Sequence, residues 1–283
     1  MRGGTERVEI EGSGGVVFDA LAAGPAGGEL VLLLHGFPQS SATWVPQLDA
    51  LAGAGYRAVA PDQRGYSPRA RPEGKEHYRI GQLVGDVVDM ADRLGADRFH
   101  VVGHDWGAVV AWHLAGRHAG RLLSLTALSV PHPIAFVTAL LSADADQRGR
   151  SSYITFFQQV DVAEDALLGG GLAALLTASG YPPDGGECVA RMSEPGALTA
   201  ALNWYRAIDL GLVTGVRGIT VPTMFVWSTG DVALGRAAAE ATGAHVAGPY
   251  RFEVLDGVSH WIPEEAPAVL TGLLLGHLAS AAA

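Results

Sequence analysis

An aspartate stands at the centre of Gly103-His104-Asp105-Trp106-Gly107, where an apolar run ends and a helical pattern begins. Glycines two residues to either side allow the tight strand-to-helix turn that presents a central side chain as a nucleophile. A carboxylate in that place is already ionised at neutral pH and needs no base to activate it. It suits attack on a saturated carbon carrying a leaving group, which a neutral hydroxyl does poorly. The N-terminus of the following helix favours the anion. The predicted chemistry is covalent: an ester forms on Asp105 and must then be hydrolysed.

Hydrolysis of such an ester needs two oxyanion donors, a base and a group to orient the base. The turn supplies one donor, the amide of Trp106. His35-Gly36-Phe37-Pro38, at the end of an earlier apolar run, supplies the amide of Phe37, and its Phe37–Pro38 bond is a candidate cis peptide. His260, in Gly257-Val258-Ser259-His260-Trp261, falls between the last strand and the last helix, where the base of such a set belongs. Asp231, in Ser228-Thr229-Gly230-Asp231, is favoured as its partner over Asp256, which reads as a turn residue at a strand end. Pro131-His132-Pro133 offers no carboxylate at the other usual position. The remaining histidines have structural readings: His100 within a strand, His113, His118 and His277 on helices, and His245 in a surface loop.

The elements that must hold these residues follow from hydrophobic periodicity. Residues 5–23 alternate as an antiparallel hairpin. Leu30 to Leu34 is a continuous apolar run, the pattern of a strand buried on both faces. A helix over Ser41 to Ala52, a strand over Tyr56 to Ala60, a helix over Ile80 to Leu94 and a strand over Phe99 to Val102 come next. A helix from Trp106 and a strand over Leu122 to Val130 complete the alternation. Such alternation predicts a mostly parallel, doubly wound sheet whose crevice lies at the carboxyl ends of its strands. From 132 to 217 no buried strand is visible, and this stretch reads as an inserted helical cap. The α/β pattern resumes with a strand over Val221 to Trp227, a helix over Arg236 to Ala241 and a strand over Phe252 to Leu255. Pro263-Glu264-Glu265 then starts a C-terminal helical segment. The expected division is a core of 1–131 with 218–283 and a cap of 132–217.

Composition narrows the function classes. The 283 residues are 48% hydrophobic, enough for one large domain or a core with an insertion. A formal charge of −10 without basic clusters argues against nucleic acid and anionic membrane surfaces as partners. The single cysteine, Cys188, forms no internal disulfide and reads as structural. No apolar leader and no run of about 18 apolar residues is present, so a cytoplasmic protein is expected. No metal-spaced cluster or phosphate-binding Gly-rich loop calls for a cofactor.

His-Gly-Phe-Pro, Gly-His-Asp-Trp-Gly, Thr-Gly-Asp-Val-Ala-Leu and Gly-Val-Ser-His-Trp together resemble the epoxide hydrolases of the α/β-hydrolase fold, and the resemblance spans nearly the whole chain. It implies two cap tyrosines that hydrogen-bond the epoxide oxygen. Tyr153, in Tyr153-Ile154-Thr155-Phe156-Phe157-Gln158, and Tyr205, in Asn203-Trp204-Tyr205-Arg206, are similar to that pair. A phenol with a pKa near about 10 stays protonated at neutral pH and can donate. Phe37, Trp106, His132, Phe156 and Phe157 are expected to line the pocket. The implied partners are a small epoxide and water, with the chain a monomer or homodimer. Haloalkane dehalogenases share the first two motifs, but Phe37 offers no side-chain donor to a halide, and Trp106 stands where fluoroacetate-type enzymes place arginine. Two alternatives remain at this level: a dehalogenase using the same aspartate, and a non-catalytic small-molecule receptor.

Overall fold

A computed structural model describes residues 4–143, 146–182, 185–216 and 218–281. The ends of the expected segments at 1, 217 and 283 lie outside these. Eight strands form one sheet: β1 (Glu6–Glu11), β2 (Val17–Ala23), β3 (Leu30–Leu34), β4 (Arg57–Pro61), β5 (Phe99–His104), β6 (Leu122–Leu128), β7 (Thr223–Ser228) and β8 (Tyr250–Leu255). Their spatial order is β1-β2-β4-β3-β5-β6-β7-β8. The β1–β2 and β2–β4 pairs are antiparallel and the remaining five are parallel. This is the doubly wound sheet expected, with the hairpin as its edge.

All five residues of apolar β3 are buried between two helical layers, and so are all six of β5, whose His100 and His104 are hydrogen-bonded. One face is covered by α1 (Val45–Gly53) and the C-terminal helix, whose Leu48, Leu51, Leu270, Leu274 and Leu278 meet Val31, Leu33 and Val102. The other is covered by α2 (Ile80–Arg93) and α3 (Trp106–Arg117), which contribute Leu83, Val87, Met90, Val110 and Leu114. The helix expected over 41–52 begins as a single 3₁₀ turn, Ser41–Trp44, because Pro46 can enter only the first turn of the α-helix that follows.

Between β6 and β7 the described chain is helical: α4 (Pro133–Leu141), α5 (Asp146–Arg150), α6 (Ser152–Phe157), α7 (Val162–Ala166), α8 (Leu172–Ala178), α9 (Gly186–Met192) and α10 (Ala197–Arg206). After β7 come α11 (Arg236–Ala241), α12 (Ile262–Glu265) and α13 (Pro267–Ala281). The C-terminal segment is therefore two helices, broken at Ala266, ahead of Pro267. The residue before a proline is biased away from helical geometry. Among the described residues no helix is long and apolar enough to cross a membrane.

The direction of winding reverses between β3 and β5, which are sheet neighbours. Loops leaving their carboxyl ends face each other across the crevice. Those loops are His35–Pro38 and the turn at Asp105.

Candidate active site

Asp105 has φ 50° and ψ −120°, a conformation an L-residue adopts only at a cost of order 1–3 kcal/mol. Neighbouring glycines make room for it. A Cβ on Gly103 would collide with the Gly107 carbonyl, and one on Gly107 with the Leu34 carbonyl. On Gly36 it would strike Asp105 itself. The three backbones approach so closely that no side chain fits between them.

The Phe37 amide donates to Asp105 Oδ1 at 2.8 Å. The Phe37–Pro38 bond is cis. Trp106 is the first residue of α3, with its indole on the cavity wall. His260 Nε2 lies 3.6 Å from Asp105 Oδ2, a charge contact too long for a hydrogen bond. Its Nδ1 meets Asp231 Oδ2 at 2.8 Å. Asp231 Oδ1 accepts from the amides of Ala233 and Leu234, at 2.8 and 2.9 Å, so the carboxylate is fixed from behind. Asp256 is exposed and takes a hydrogen bond from Thr229. Asp231 thus occupies the position beside His260, and Asp256 is the turn residue.

The charges are mutually adjusted. Burial lowers the affinity of His260 for a proton, but the Asp231 and Asp105 carboxylates outweigh it and push its pKa up to about 10. Burial also works against charge on Asp105, yet His260 and the Phe37 amide hold its carboxyl below its ordinary value. At neutral pH His260 is therefore protonated beside an ionised Asp105.

Two cavities meet at Asp105. One is bounded by Trp106, Val109, Phe136, Ile154, Ile208 and Leu212, the other by Phe37, Phe157, Leu175, His260, Trp261 and Arg150. Asp105, Tyr153 and Tyr205 line both. The tyrosine rings are 6.2 Å apart, and Tyr205 also packs edge-on against Trp106 and Phe37, at 5.1 and 5.7 Å. Burial, reinforced by the charge of Asp105, raises the pKa of both phenols, so each stays a donor.

Not every expected wall residue is there. Phe37, Trp106 and Phe157 line the cavities, but His132 does not. It is fully buried, with Nε2 on the Val216 carbonyl at 2.7 Å and its ring stacked on His245 at 4.6 Å. The N-terminus of α4 turns the backbone there, so Pro131 and Pro133 face the cavity while His132 points away. Phe156 is likewise outside both walls and packs against Phe157. One helical step separates the inward ring from the outward one.

Several residues near the site were not singled out from sequence. Ser129 Oγ donates to the His260 carbonyl at 2.8 Å, and His104 Nε2 meets the same oxygen at 2.9 Å. Gln39 and Glu264 lie behind His104. Gln39 directly follows His-Gly-Phe-Pro and His104 precedes Asp105, so proximity to the motifs was an available signal. Nothing local marks Glu264. Cys188 is buried and its thiol is pushed up to about 11, as its structural reading requires. Among the described residues no group of His, Cys, Asp and Glu is arranged to hold a metal ion.

Residues 29–163 match the α/β-hydrolase fold family. The chain is 35% identical to epoxide hydrolase A of Mycobacterium tuberculosis, with 97% of each chain covered. The chain belongs to the epoxide hydrolase family of the α/β-hydrolase fold. It is also 37% identical to an α/β-hydrolase superfamily protein of Bacillus subtilis over 96% of this chain and 98% of that one. Mouse epoxide hydrolase 4 is 32% identical, over 96% of this chain and 78% of its own length. Among solved structures, epoxide hydrolase A of Mycobacterium thermoresistibile superposes with a TM-score of 0.83 at 29% identity, covering 97% of this chain and 98% of that one. An epoxide hydrolase mutant of Bacillus megaterium, bound to a naphthyloxy-propanediol product, gives 0.84 at 27% identity, with 96% and 99% covered.

Proposed function

We infer that this protein opens an epoxide to a vicinal diol through an ester on Asp105, in a site closed by residues 132–217 acting as a cap. The observation that carries the reading is convergence of two phenols on the carboxylate: Tyr153 and Tyr205 line both cavities that meet at Asp105. A strained ether needs an anionic nucleophile on one side and a proton donor on its oxygen, and the carboxylate and both phenols line the same space here.

Asp105 Oδ1 is held by the Phe37 amide, which leaves Oδ2 to attack. The Oδ2–carbon bond forms as the epoxide carbon–oxygen bond breaks, and the departing oxygen takes a proton from the phenol pair. Esterification removes the charge of Asp105, one of the two carboxylates that raise the His260 pKa. The His260 proton can then pass, through water, to the phenolate left by the first step, which restores the phenol and leaves a neutral His260 to act as the base. It deprotonates a water, and the hydroxide adds to Asp105 Cγ. Negative charge develops on Oδ1, where the Phe37 amide already points and the Trp106 amide, at the helix N-terminus, assists. Collapse expels the diol oxygen, which takes the proton from His260 and leaves Asp105 as an acid, and transfer of that acid proton to His260 restores the carboxylate and the imidazolium. Asp231 keeps the imidazole oriented throughout. No cofactor enters this sequence.

A single turnover of an epoxide in heavy-oxygen water, with enzyme in excess, tests the path. The label should appear in the Asp105 peptide and not in the first diol. A labelled diol with an unlabelled peptide would mean direct attack by water. Halide release from haloalkanes, with epoxides inert, would assign the same machinery to dehalogenation.

A further inference from the structure

Behind His260 runs a buried chain of hydrogen bonds for which the mechanism above has no use. Glu264 Oε1, on α12, accepts from Gln39 Nε2 at 2.6 Å, from Thr43 Oγ1 at 2.9 Å and from the Tyr181 hydroxyl at 3.3 Å. Gln39 Oε1 accepts from the Gly36 amide at 3.0 Å and meets His104 Nδ1 at 2.8 Å. His104 Nε2 meets the His260 carbonyl at 2.9 Å. The Gln39 amide cannot be turned over. Its Nε2 would then face the Gly36 N–H, and its oxygen the Glu264 carboxyl.

Both ring nitrogens of His104 therefore face oxygen acceptors. A neutral imidazole has one N–H and leaves one of these contacts as lone pair against lone pair. The chain is complete only with one more proton, which makes His104 an imidazolium. Glu264 Oε2 is buried with no hydrogen-bond partner among the described residues, so nothing nearby rewards a proton placed there.

We propose that Glu264 is a positioning residue that shares one proton with His104 through Gln39, and that this proton fastens the backbone of the His260 loop. The proposal rests on the reading of His260 as the base. Burial is the largest influence on both partners and outweighs their hydrogen bonds, so that taken singly each tends to neutrality, Glu264 up to about 7 and His104, with the charge of His260 adding to burial, down to about 4. Moving the proton from Glu264 to His104 leaves the net charge of the pair unchanged and completes every contact in the chain. The other titratable groups facing Glu264 are Tyr181 and, behind it, Cys188, both raised by burial and neutral at working pH. Those facing His104 are His260, Asp105 and Asp231. His260 lies with its ring 5.0 Å away. A charged His104 at that distance also eases release of the His260 proton in the ester, which is the state in which His260 must act as base.

The test uses the intact protein with ¹⁵N-labelled histidine. The His104 signals are assigned by their loss in His104→Gln. Between about pH 6 and 7, both His104 nitrogens should report as protonated in the parent protein. In Glu264→Gln, which keeps an acceptor for Gln39 but not the charge, one nitrogen should report as bare. In parallel, the ester-hydrolysis step of Glu264→Gln should slow by roughly fivefold to tenfold near pH 7, and its acid limb should move to higher pH because His260 is more basic beside a neutral His104. The alkylation step should change less than about twofold. A neutral His104 in the parent, or the same protonation pattern in both proteins, overturns the proposal. The resonance measurement stands even if the epoxide chemistry itself fails, so the two failures are separable.

Discussion

His260 is held between Asp231 at 2.8 Å and Asp105 at 3.6 Å, and the two carboxylates push its pKa up to about 10. In the resting site it is charged at neutral pH, and a charged imidazole cannot accept a proton from water. In the proposed mechanism only the ester, which neutralises Asp105, frees it. The two half-reactions should therefore respond to pH differently. Asp105 stays ionised into the acid range, because its carboxyl is held below the ordinary value, so alkylation persists there. Hydrolysis slows as pH falls, because His260 in the ester stays protonated. Mass spectrometry of quenched reactions should show ester on the Asp105 peptide rising as pH is lowered from about 8 to about 5. A constant ester fraction across that range would remove His260 as the base. Replacement of either phenol acts on the other half. Tyr153→Phe or Tyr205→Phe should slow alkylation by roughly ten- to a hundredfold and spare hydrolysis, and the double variant should lose turnover altogether. Rapid-quench kinetics separates the steps.

The elements hold these residues by close approach and by buried charge. Gly36 lies so near Asp105 that Gly36→Ala would drive a methyl into the Asp105 side chain. The variant should lower the melting temperature and reduce alkylation, at a cost of about 1–3 kcal/mol, with circular dichroism and burst amplitude as the readouts. Tyr205 depends on a different anchor. The next residue, Arg206, holds Glu164 of α7 through two 2.7 Å bonds, and its side chain is only 4% exposed. Gln158, just after α6, donates to the Tyr205 carbonyl at 3.0 Å. Three helices are thus tied at the position that sets the Tyr205 phenol, one of the two proposed donors. Glu164→Gln leaves the Arg206 guanidinium buried without its counter-charge and should destabilise the fold by about 3 kcal/mol. Thermal unfolding measures that directly, and unchanged stability would mean the guanidinium reaches water.

Across the whole molecule, what was readable in the sequence was what lies close along the chain. Phe37, Asp105 and Asp231 each follow a buried, largely apolar strand through a turn marked by glycine, so the core and these residues followed from periodicity and loop position. Contacts formed between elements left no local trace. Glu264 meets Gln39 across 225 residues, and which face of α6 turns inward decides that Phe157 lines a cavity and Phe156 does not. Tyr153 and Tyr205 were reached through resemblance, since a cap tyrosine by itself reads as packing. The same long-range assembly sets the shape of the binding space. Asp105 sits between two cavities, one walled by Val109, Phe136 and Leu212 and the other by Phe157, Trp261 and Arg150. An epoxide bearing apolar groups on both carbons can send one into each, whereas a terminal epoxide fills only one. Val109→Trp would close the first cavity from α3 without touching the second. It should lower kcat/KM for an epoxide substituted on both carbons by about tenfold or more, and change that for a short terminal epoxide by less than about threefold. Equal losses on both substrates would mean that the bulk displaces Asp105 itself. A single-turnover burst with the terminal epoxide tells the two cases apart, because it keeps full amplitude only where the nucleophile is intact.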